Sequence, residues 1–161
     1  MFSLEIETLA RLLIDEARER SLRIVTAESC TGGLVSAAIC AIPGASDVLE
    51  RGFVTYSNRA KQEMLGVPGD LIADLGAVSE PVARMMAENS NAHIAVAITG
   101  IAGPDGGTRM KPVGTVHIAT ARTNHGLVHR AELFEVETRA EIQEAATRAA
   151  LEMLRERVAE R

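Results

Sequence analysis

Apolar positions recur with helical spacing at both ends of the chain. The patterns predict a first helix over residues 4–20 and a last helix over about 139–158, each with one apolar side. The apolar stripe of the first is Leu9, Leu12, Leu13 and Ala17, and that of the last is Ile142, Ala146, Ala149, Met153 and Leu154. Each helix should therefore bury one face and expose a charged face to water.

Between these helices, short apolar runs alternate with helical patterns. Runs typical of buried strands cover residues 22–27, 51–56 and 93–99, and helical patterns cover 34–42, 59–65, about 71–75 and a segment after Ser79. Asn58 and Ser79 are suited to cap two of these helices. Residues 113–122 and 127–136 flank a turn and predict a β-hairpin. This order predicts a single-domain three-layer α/β/α sandwich with a mixed sheet over residues 1–161.

Charge and composition exclude several classes of function. The 161 residues carry 17 basic and 22 acidic side chains, so the net charge is −5, and aromatic residues make up 2%. We therefore expect no direct nucleic-acid partner, since such proteins need basic patches and stacking aromatic side chains. No apolar run approaches the roughly 18 to 20 residues that span a bilayer, and the first residues do not resemble a secretion signal. Cys30 and Cys40 form no CxxC pair, which indicates a reduced, cytoplasmic protein.

The first candidate for chemistry is the turn between the first predicted strand and the next helix. Its sequence is Glu28-Ser29-Cys30-Thr31-Gly32-Gly33. The glycines allow a ligand to approach the backbone, and the free amides at the helix start favour an anion there. Ser29 could act as a nucleophile, with Cys30 as a rival that we interpret as a small buried residue. A simple Ser/Thr cap with glycines for close packing explains the pattern equally well.

The second candidate joins Tyr56 and Lys61. Tyr56 is the single tyrosine and ends a predicted strand, while Lys61 lies one turn into the following helix. Both could face the crevice at the carboxyl end of the sheet, where open α/β sheets bind ligands. A lysine acts as a general base if burial or a nearby cation lowers its pKa from about 10.4 towards ~7–8. Taken alone, a surface lysine and an interfacial tyrosine are the more common explanation.

The third candidate is the glycine-rich loop that follows the run at 93–99. It reads Thr99-Gly100-Ile101-Ala102-Gly103-Pro104-Asp105-Gly106-Gly107 and matches neither the dinucleotide-binding nor the P-loop pattern. Its length and glycine content favour a loop that lines a ligand site. The four histidines show no metal-ligand spacing, so we expect no metal and no cofactor.

Together these three segments resemble the CinA C-terminal domain family, which includes the stand-alone nicotinamide-nucleotide amidases of the PncC type. The resemblance rests on residues 28–33, on Gly52-Phe53-Val54-Thr55-Tyr56-Ser57-Asn58 with Lys61, and on residues 99–107 with Lys111-Pro112-Val113-Gly114. The three motifs occur in order at matching separations, and the similarity covers essentially the whole chain.

The resemblance implies hydrolysis of the carboxamide of nicotinamide mononucleotide to nicotinic acid mononucleotide and ammonia, a step of pyridine nucleotide recycling. It implies Ser29 as the nucleophile, with Lys61 and Tyr56 handling protons in an order left open. Backbone amides at residues 30–33 would stabilise the oxyanion. We also expect a homo-oligomer. The substrate site is predicted to include Glu28, Cys30, Thr31, Gly32, Gly33, Asn58, Thr99, Gly100, Gly103 and Arg139.

Two departures from the family pattern carry expectations of their own. Larger members have an additional N-terminal domain that this sequence lacks, so we expect the chain to act alone. The family often has a second arginine four residues after the one at Arg139, and here that position is Gln143. A catalytically silent module that binds a nucleotide or a partner is the alternative function, and release of ammonia distinguishes the two.

Overall fold

The computed structural model describes residues 2–161, which form one mixed sheet flanked by helices. The strands are β1 (Ile24–Glu28), β2 (Leu49–Val54), β3 (Ile94–Gly100), β4 (Thr115–Arg122) and β5 (Gly126–Leu133). The helices are α1 (Leu4–Glu19), α2 (Leu34–Cys40), α3 (Asn58–Leu65), α4 (Gly69–Leu75), α5 (Glu80–Asn89) and α6 (Arg139–Ala159), and a 3-10 turn at Ala45–Asp47 precedes β2.

The sheet has the strand order β2-β1-β3-β4-β5. β1 is parallel to both β2 and β3, whereas β4 is antiparallel to β3 and β5 is antiparallel to β4. The carboxyl ends of β1, β2 and β3 therefore lie at one edge, and the loops that follow these strands meet there. Open α/β sheets bind ligands at such an edge.

The two faces of the sheet are covered by different helices, and they carry strand side chains of different size. One face carries large side chains, among them Ile94, Val96 and Ile98, and it packs with α1, α2 and α6. The other face carries Ala27, Ala97 and Ala119 and packs with α5. Small side chains let α5 lie close to β3 and β4, which produces the third layer.

The predicted α/β/α sandwich with a mixed sheet is confirmed, and the predicted apolar stripe of α6 is buried throughout. Several boundaries differ from the prediction. The second strand is Leu49–Val54, so Tyr56 lies beyond its end. Ser57 caps α3 by accepting a hydrogen bond from the Ala60 amide at 3.0 Å, whereas the predicted cap, Asn58, is the first helical residue. Within residues 2–161, no helix combines the length and apolar character that a membrane span requires.

Candidate active site

A cleft of about 270 Å³ opens at the carboxyl ends of β1 and β3, beside the start of α3. Nine of the predicted site residues line it: Ser29, Cys30, Tyr56, Asn58, Lys61, Thr99, Gly100, Gly103 and Arg139. The predicted glycine-rich loop also contributes Ile101, Ala102, Asp105 and Gly106, and the lining is completed by Ala77 and Val78, which the sequence did not single out. The three segments singled out from the sequence thus converge on one cavity.

Lys61 and Ser29 are in direct contact inside this cleft. Lys61 Nζ lies 2.9 Å from Ser29 Oγ, and both residues are buried, with 1% and 7% of their surfaces exposed. The amine also donates to the Thr55 carbonyl at 2.7 Å and to the Tyr56 carbonyl at 3.4 Å. When Lys61 is neutral, these two carbonyls can hold its two N–H groups, which leaves the nitrogen lone pair for the Ser29 hydroxyl.

Burial changes the acid–base chemistry of Lys61. Desolvation lowers the pKa of its ammonium from 10.5 to about 8 because the charged form loses hydration in the protein interior. The residue occupies the first buried position of α3, one turn after the Ser57 cap. The amine is therefore partly neutral near pH 8, which is the state in which it can accept a proton from Ser29.

Glu28 stands outside the cleft lining and instead organises the loop that carries Ser29. Its carboxylate is fully buried and accepts hydrogen bonds from the amides of Gly33 and Val35, both at 3.1 Å, and from the Ser36 amide at 2.9 Å. The hydroxyl of Thr31 donates to the same carboxylate at 2.6 Å. The amides at the start of α2 are therefore satisfied by an internal carboxylate, which fills the place that a bound anion takes at such helix ends.

This cap also reduces the number of amides that are available to an oxyanion. The Gly33 amide donates to Glu28, and the Gly32 amide donates to the Ser29 carbonyl at 3.0 Å. Gly32, Gly33 and Thr31 stand outside the residues that line the cleft. The amide of Cys30 makes no hydrogen bond to another residue within 2–161, and Cys30 does line the cleft. Of the predicted amide donors at 30–33, the one on Cys30 is therefore best placed to face a reacting group.

The thiol of Cys30 is poorly suited to be the nucleophile. Burial, with a smaller contribution from the nearby Glu28 carboxylate, raises its pKa to about 12, so the thiol stays protonated at neutral pH. Its sulfur packs against Gly100, where a Cβ would lie only 3.0 Å from Cys30 Sγ and 2.7 Å from Val116 Cγ2. Glycine at position 100 permits this close approach of β3 to the loop of Ser29.

Tyr56 and Arg139 form the mouth of the cleft. Arg139 Nη2 donates to the Tyr56 hydroxyl at 2.6 Å, and Arg139 Nη1 donates to the Gly103 carbonyl at 2.7 Å. More than half of Tyr56 is exposed. Its hydroxyl thus pairs with Arg139 in this structure, whereas its backbone carbonyl is the group that contacts Lys61. Arg139 provides a positive charge beside the opening.

The irregular segment between α4 and α5 completes the apolar wall. Ala77 and Val78 line the cleft, and the Thr99 hydroxyl holds this segment by donating to the Ala77 carbonyl at 2.9 Å. Lys111 Nζ donates to the carbonyl of Leu75, the last residue of α4, at 2.6 Å and so holds the start of this segment. Small apolar residues in an irregular connection carry no chemical signal, so a sequence pattern alone does not identify them.

Gln143 contacts the loop that carries Ser29 and Cys30. Its Nε2 donates to the Cys30 carbonyl at 2.9 Å across 113 residues of sequence. Gln143 lies one turn after Arg139 on α6, so both side chains leave the same side of the helix.

Comparison with known proteins identifies close relatives over nearly the whole chain. Residues 6–158 match the family described as the CinA C-terminal domain. The chain is 45% identical to a CinA-like protein of Syntrophus aciditrophicus over 99% of its own length and 39% of the relative's. It is 46% identical to a CinA-like protein of Prochlorococcus marinus over 92% and 36%, respectively. It therefore spans less than half of the length of these curated relatives.

Solved structures of similar size share the fold. The competence/damage inducible protein CihA from Agrobacterium tumefaciens is 46% identical, with a TM-score of 0.95 and coverage of 97% of both chains. A CinA superfamily protein from Klebsiella pneumoniae is 33% identical, with a TM-score of 0.90 over 96% of this chain and 98% of its own. The predicted resemblance is confirmed at the level of family and fold.

Proposed function

The chain belongs to the CinA C-terminal domain family, and from this premise we propose that it is an amidase. Its proposed substrate is nicotinamide mononucleotide, whose carboxamide it hydrolyses to give nicotinic acid mononucleotide and ammonia. The observation that carries the proposal is the 2.9 Å contact between Lys61 Nζ and Ser29 Oγ inside the cleft. A serine hydroxyl beside a buried lysine whose pKa is lowered is an activated nucleophile, because the neutral amine can accept its proton.

In the proposed acylation step, neutral Lys61 accepts the proton of Ser29 while Oγ attacks the carboxamide carbon. The carbonyl oxygen becomes an oxyanion, which the free amide of Cys30 is best placed to stabilise. Collapse of the tetrahedral intermediate breaks the C–N bond, and the ammonium of Lys61 gives its proton to the leaving ammonia. The product of this step is an ester between Ser29 and the nicotinic acid moiety.

Deacylation reverses these roles with water as the nucleophile. Lys61 is neutral again, accepts a proton from water, and the hydroxide attacks the ester carbon. The Ser29 oxygen leaves and recovers its proton from Lys61, so the net reaction consumes one carboxamide and one water. The two backbone carbonyls that bond Lys61 keep its nitrogen directed at Ser29 through both steps.

The mouth of the cleft suits an anionic nucleotide. Arg139 offers the positive charge that a phosphate requires, and the Tyr56 hydroxyl lies 2.6 Å from it. In this proposal Lys61 is the base of the first proton transfer, while Tyr56 contacts the substrate and supplies any further proton relay. Lys61 therefore acts before Tyr56, and the sequence alone had left this order open.

A cytoplasmic location and self-association are further parts of the proposal. Cys30 and Cys40 are both free thiols, as expected in a reducing compartment. Light scattering of the purified chain tests self-association by giving its mass in solution.

The direct test is to incubate the purified protein with nicotinamide mononucleotide and measure both ammonia and the acid product. We expect equal amounts of the two products at about 1 s⁻¹ or faster, an ordinary enzymatic rate. The Ser29→Ala variant is the matched control, because it keeps the cleft and lacks the nucleophile. A rise in melting temperature with the nucleotide, without any ammonia, would instead identify a nucleotide-binding module.

A further inference from the structure

We infer that Gln143 is a positioning residue for the nucleophile loop, and that α6 holds the three loops of the active site in register. This inference rests on the proposed function, because it concerns how the Ser29 site is kept in its reactive geometry. The central observation is that Gln143 Nε2 donates to the Cys30 carbonyl at 2.9 Å. Cys30 directly follows the nucleophile and carries the free amide assigned to the oxyanion.

The other supports of this loop act at its two ends. The Ser29 amide donates to the Ile98 carbonyl at 3.0 Å, which ties the start of the loop to β3. The carboxylate of Glu28 binds Thr31 and Gly33 at the far end. Gln143 is the side chain that reaches the middle of the loop from another element.

A hydrogen bond on the Cys30 carbonyl constrains the peptide group between Cys30 and Thr31. Peptide groups are planar, so holding the oxygen fixes the orientation of the whole unit. The adjoining peptide carries the Cys30 amide and connects to Ser29. Loss of the Gln143 contact therefore frees rotation beside both the nucleophile and the oxyanion donor, and small misplacements there reduce the rate steeply.

The contacts of α6 extend to all three loops of the cleft. Gln143 holds the loop after β1, while Arg139, one turn earlier, holds Gly103 in the loop after β3 and the Tyr56 hydroxyl in the loop after β2. The capping box of Thr138 and Glu141 fixes the start of this helix. The first turns of α6 thus connect three loops that are far apart in sequence.

The contact requires a hydrogen-bond donor at position 143 and does not depend on glutamine as such. An arginine carries N–H donors on a longer side chain and can serve the same carbonyl. Glutamate matches glutamine in shape but offers its ionised oxygens to a carbonyl oxygen, so the two repel. Methionine matches it in length and has no donor.

The test compares Gln143→Glu, Gln143→Met and Gln143→Arg with Glu144→Met, a matched control at the adjacent exposed position. For each variant, kcat and KM are measured with nicotinamide mononucleotide, together with the rate at which a fluorophosphonate labels Ser29 and the melting temperature. We expect kcat and labelling to fall about tenfold in the Glu and Met variants, less than the loss of a whole oxyanion donor. We expect KM to stay within about twofold, and the Arg variant and the Glu144 control to retain most of the activity.

The inference is overturned if Gln143→Met and Gln143→Glu keep the rates of the unchanged protein, or if Gln143→Arg is as slow as they are. An equal loss in Glu144→Met overturns it too, because the effect would then belong to the helix as a whole. If the unchanged protein releases no ammonia, the proposed function fails independently. The labelling rates of Ser29 then decide the inference by the same comparison, since labelling needs no nucleotide substrate.

Discussion

Two clusters of titratable side chains lie on opposite halves of the sheet, and they have different surroundings. Lys61 and Ser29 lie at the carboxyl edge of the parallel half and line the cleft. His117 and His129 lie on the antiparallel β4 and β5, with ring centroids 5.1 Å apart and with His117 Nδ1 2.9 Å from His129 Nε2. Each cluster contains a basic side chain whose pKa lies below its ordinary value.

Desolvation is the largest cause of the lowered pKa in Lys61, His117 and His129 alike. The difference lies in what each base can reach. Lys61 faces a serine hydroxyl at the wall of a cavity, whereas His129 faces His117 and lies 3.5 Å from the carboxylate of Glu80. A lowered pKa therefore marks burial in both places, and it marks a candidate site where a nucleophile and space for a ligand accompany it.

Removal of the proposed nucleophile at the Ser29–Lys61 cluster should have the largest effect on turnover. We expect Ser29→Ala to reduce turnover of nicotinamide mononucleotide by about 10⁴-fold or more, as removal of a serine nucleophile does in related chemistry. Binding of the nucleotide, measured as a rise in melting temperature, should survive because the cleft remains. Cys30→Ala should retain most of the turnover, since the protonated thiol takes no part. The reverse pattern would move the nucleophile to Cys30.

Replacement of Lys61, the proposed base, should have the next largest effect on turnover. Lys61→Arg keeps the positive charge, but a guanidinium stays protonated at every accessible pH and cannot accept the Ser29 proton. We expect kcat to fall about 10³-fold, within the range attributed to general bases. The sequence offers a matched control in Lys111, its other lysine, which donates to the Leu75 carbonyl. Lys111→Arg keeps that donor, so its kcat should stay within about twofold of that of the unchanged protein. Comparable losses of kcat in both variants would argue against a specific role for Lys61.

The pH profile sharpens the assignment of Lys61 without any substitution. Because burial lowers the pKa of Lys61 to about 8 and the neutral amine is the proposed base, kcat/KM should rise with pH through that value and level off above it. Below pH 8 the rate should change about tenfold per pH unit, since the neutral fraction does so. A profile that is flat between pH 6 and 9 would contradict the assignment, and melting temperatures over the same range check that the protein stays folded.

Local sequence signals were sufficient for the order of the elements, whereas the pairing of Ser29 with Lys61 was implied by the family resemblance and agrees with their contact in the structure. Each residue follows a strand of the parallel half, and strands of that kind end at a common edge, so their loops converge. Glu28 is a predicted substrate-site residue, but in the structure it lies outside the residues that line the cleft. Its carboxylate caps α2 from the end of β1, five residues before the helical N-cap Gly33, and such a distance is outside the usual capping pattern.

The contacts made by α6 could not be predicted from the sequence. Gln143 reaches Cys30 across 113 residues and Arg139 reaches Tyr56 across 83 residues. The helical pattern identifies which side of α6 is apolar, but the docking angle of the helix decides which loop each polar side chain meets. That angle depends on the packing of the large side chains of α1, α2 and β3 against α6, which no local pattern encodes.

The smallest expected effect concerns the pair His117 and His129. Because neither histidine lines the cleft of Ser29 and Lys61, we expect their substitution to change stability and to leave turnover unchanged. Burial is the largest cause that lowers the pKa of both histidines, and Lys111 beside His117 and Arg84 beside His129 add to this lowering. The Glu80 carboxylate offsets only part of it. Because the folded pKa values lie below 6.5, the unfolded chain binds more protons in acid, so stability should fall as the pH drops below about 6.5. In His117→Gln/His129→Gln, the melting temperature should therefore decline less between pH 7 and pH 5 than in the unchanged protein. Turnover at pH 8 should stay within about twofold; a large loss of turnover with an unchanged melting temperature would show that the two halves of the sheet are functionally coupled.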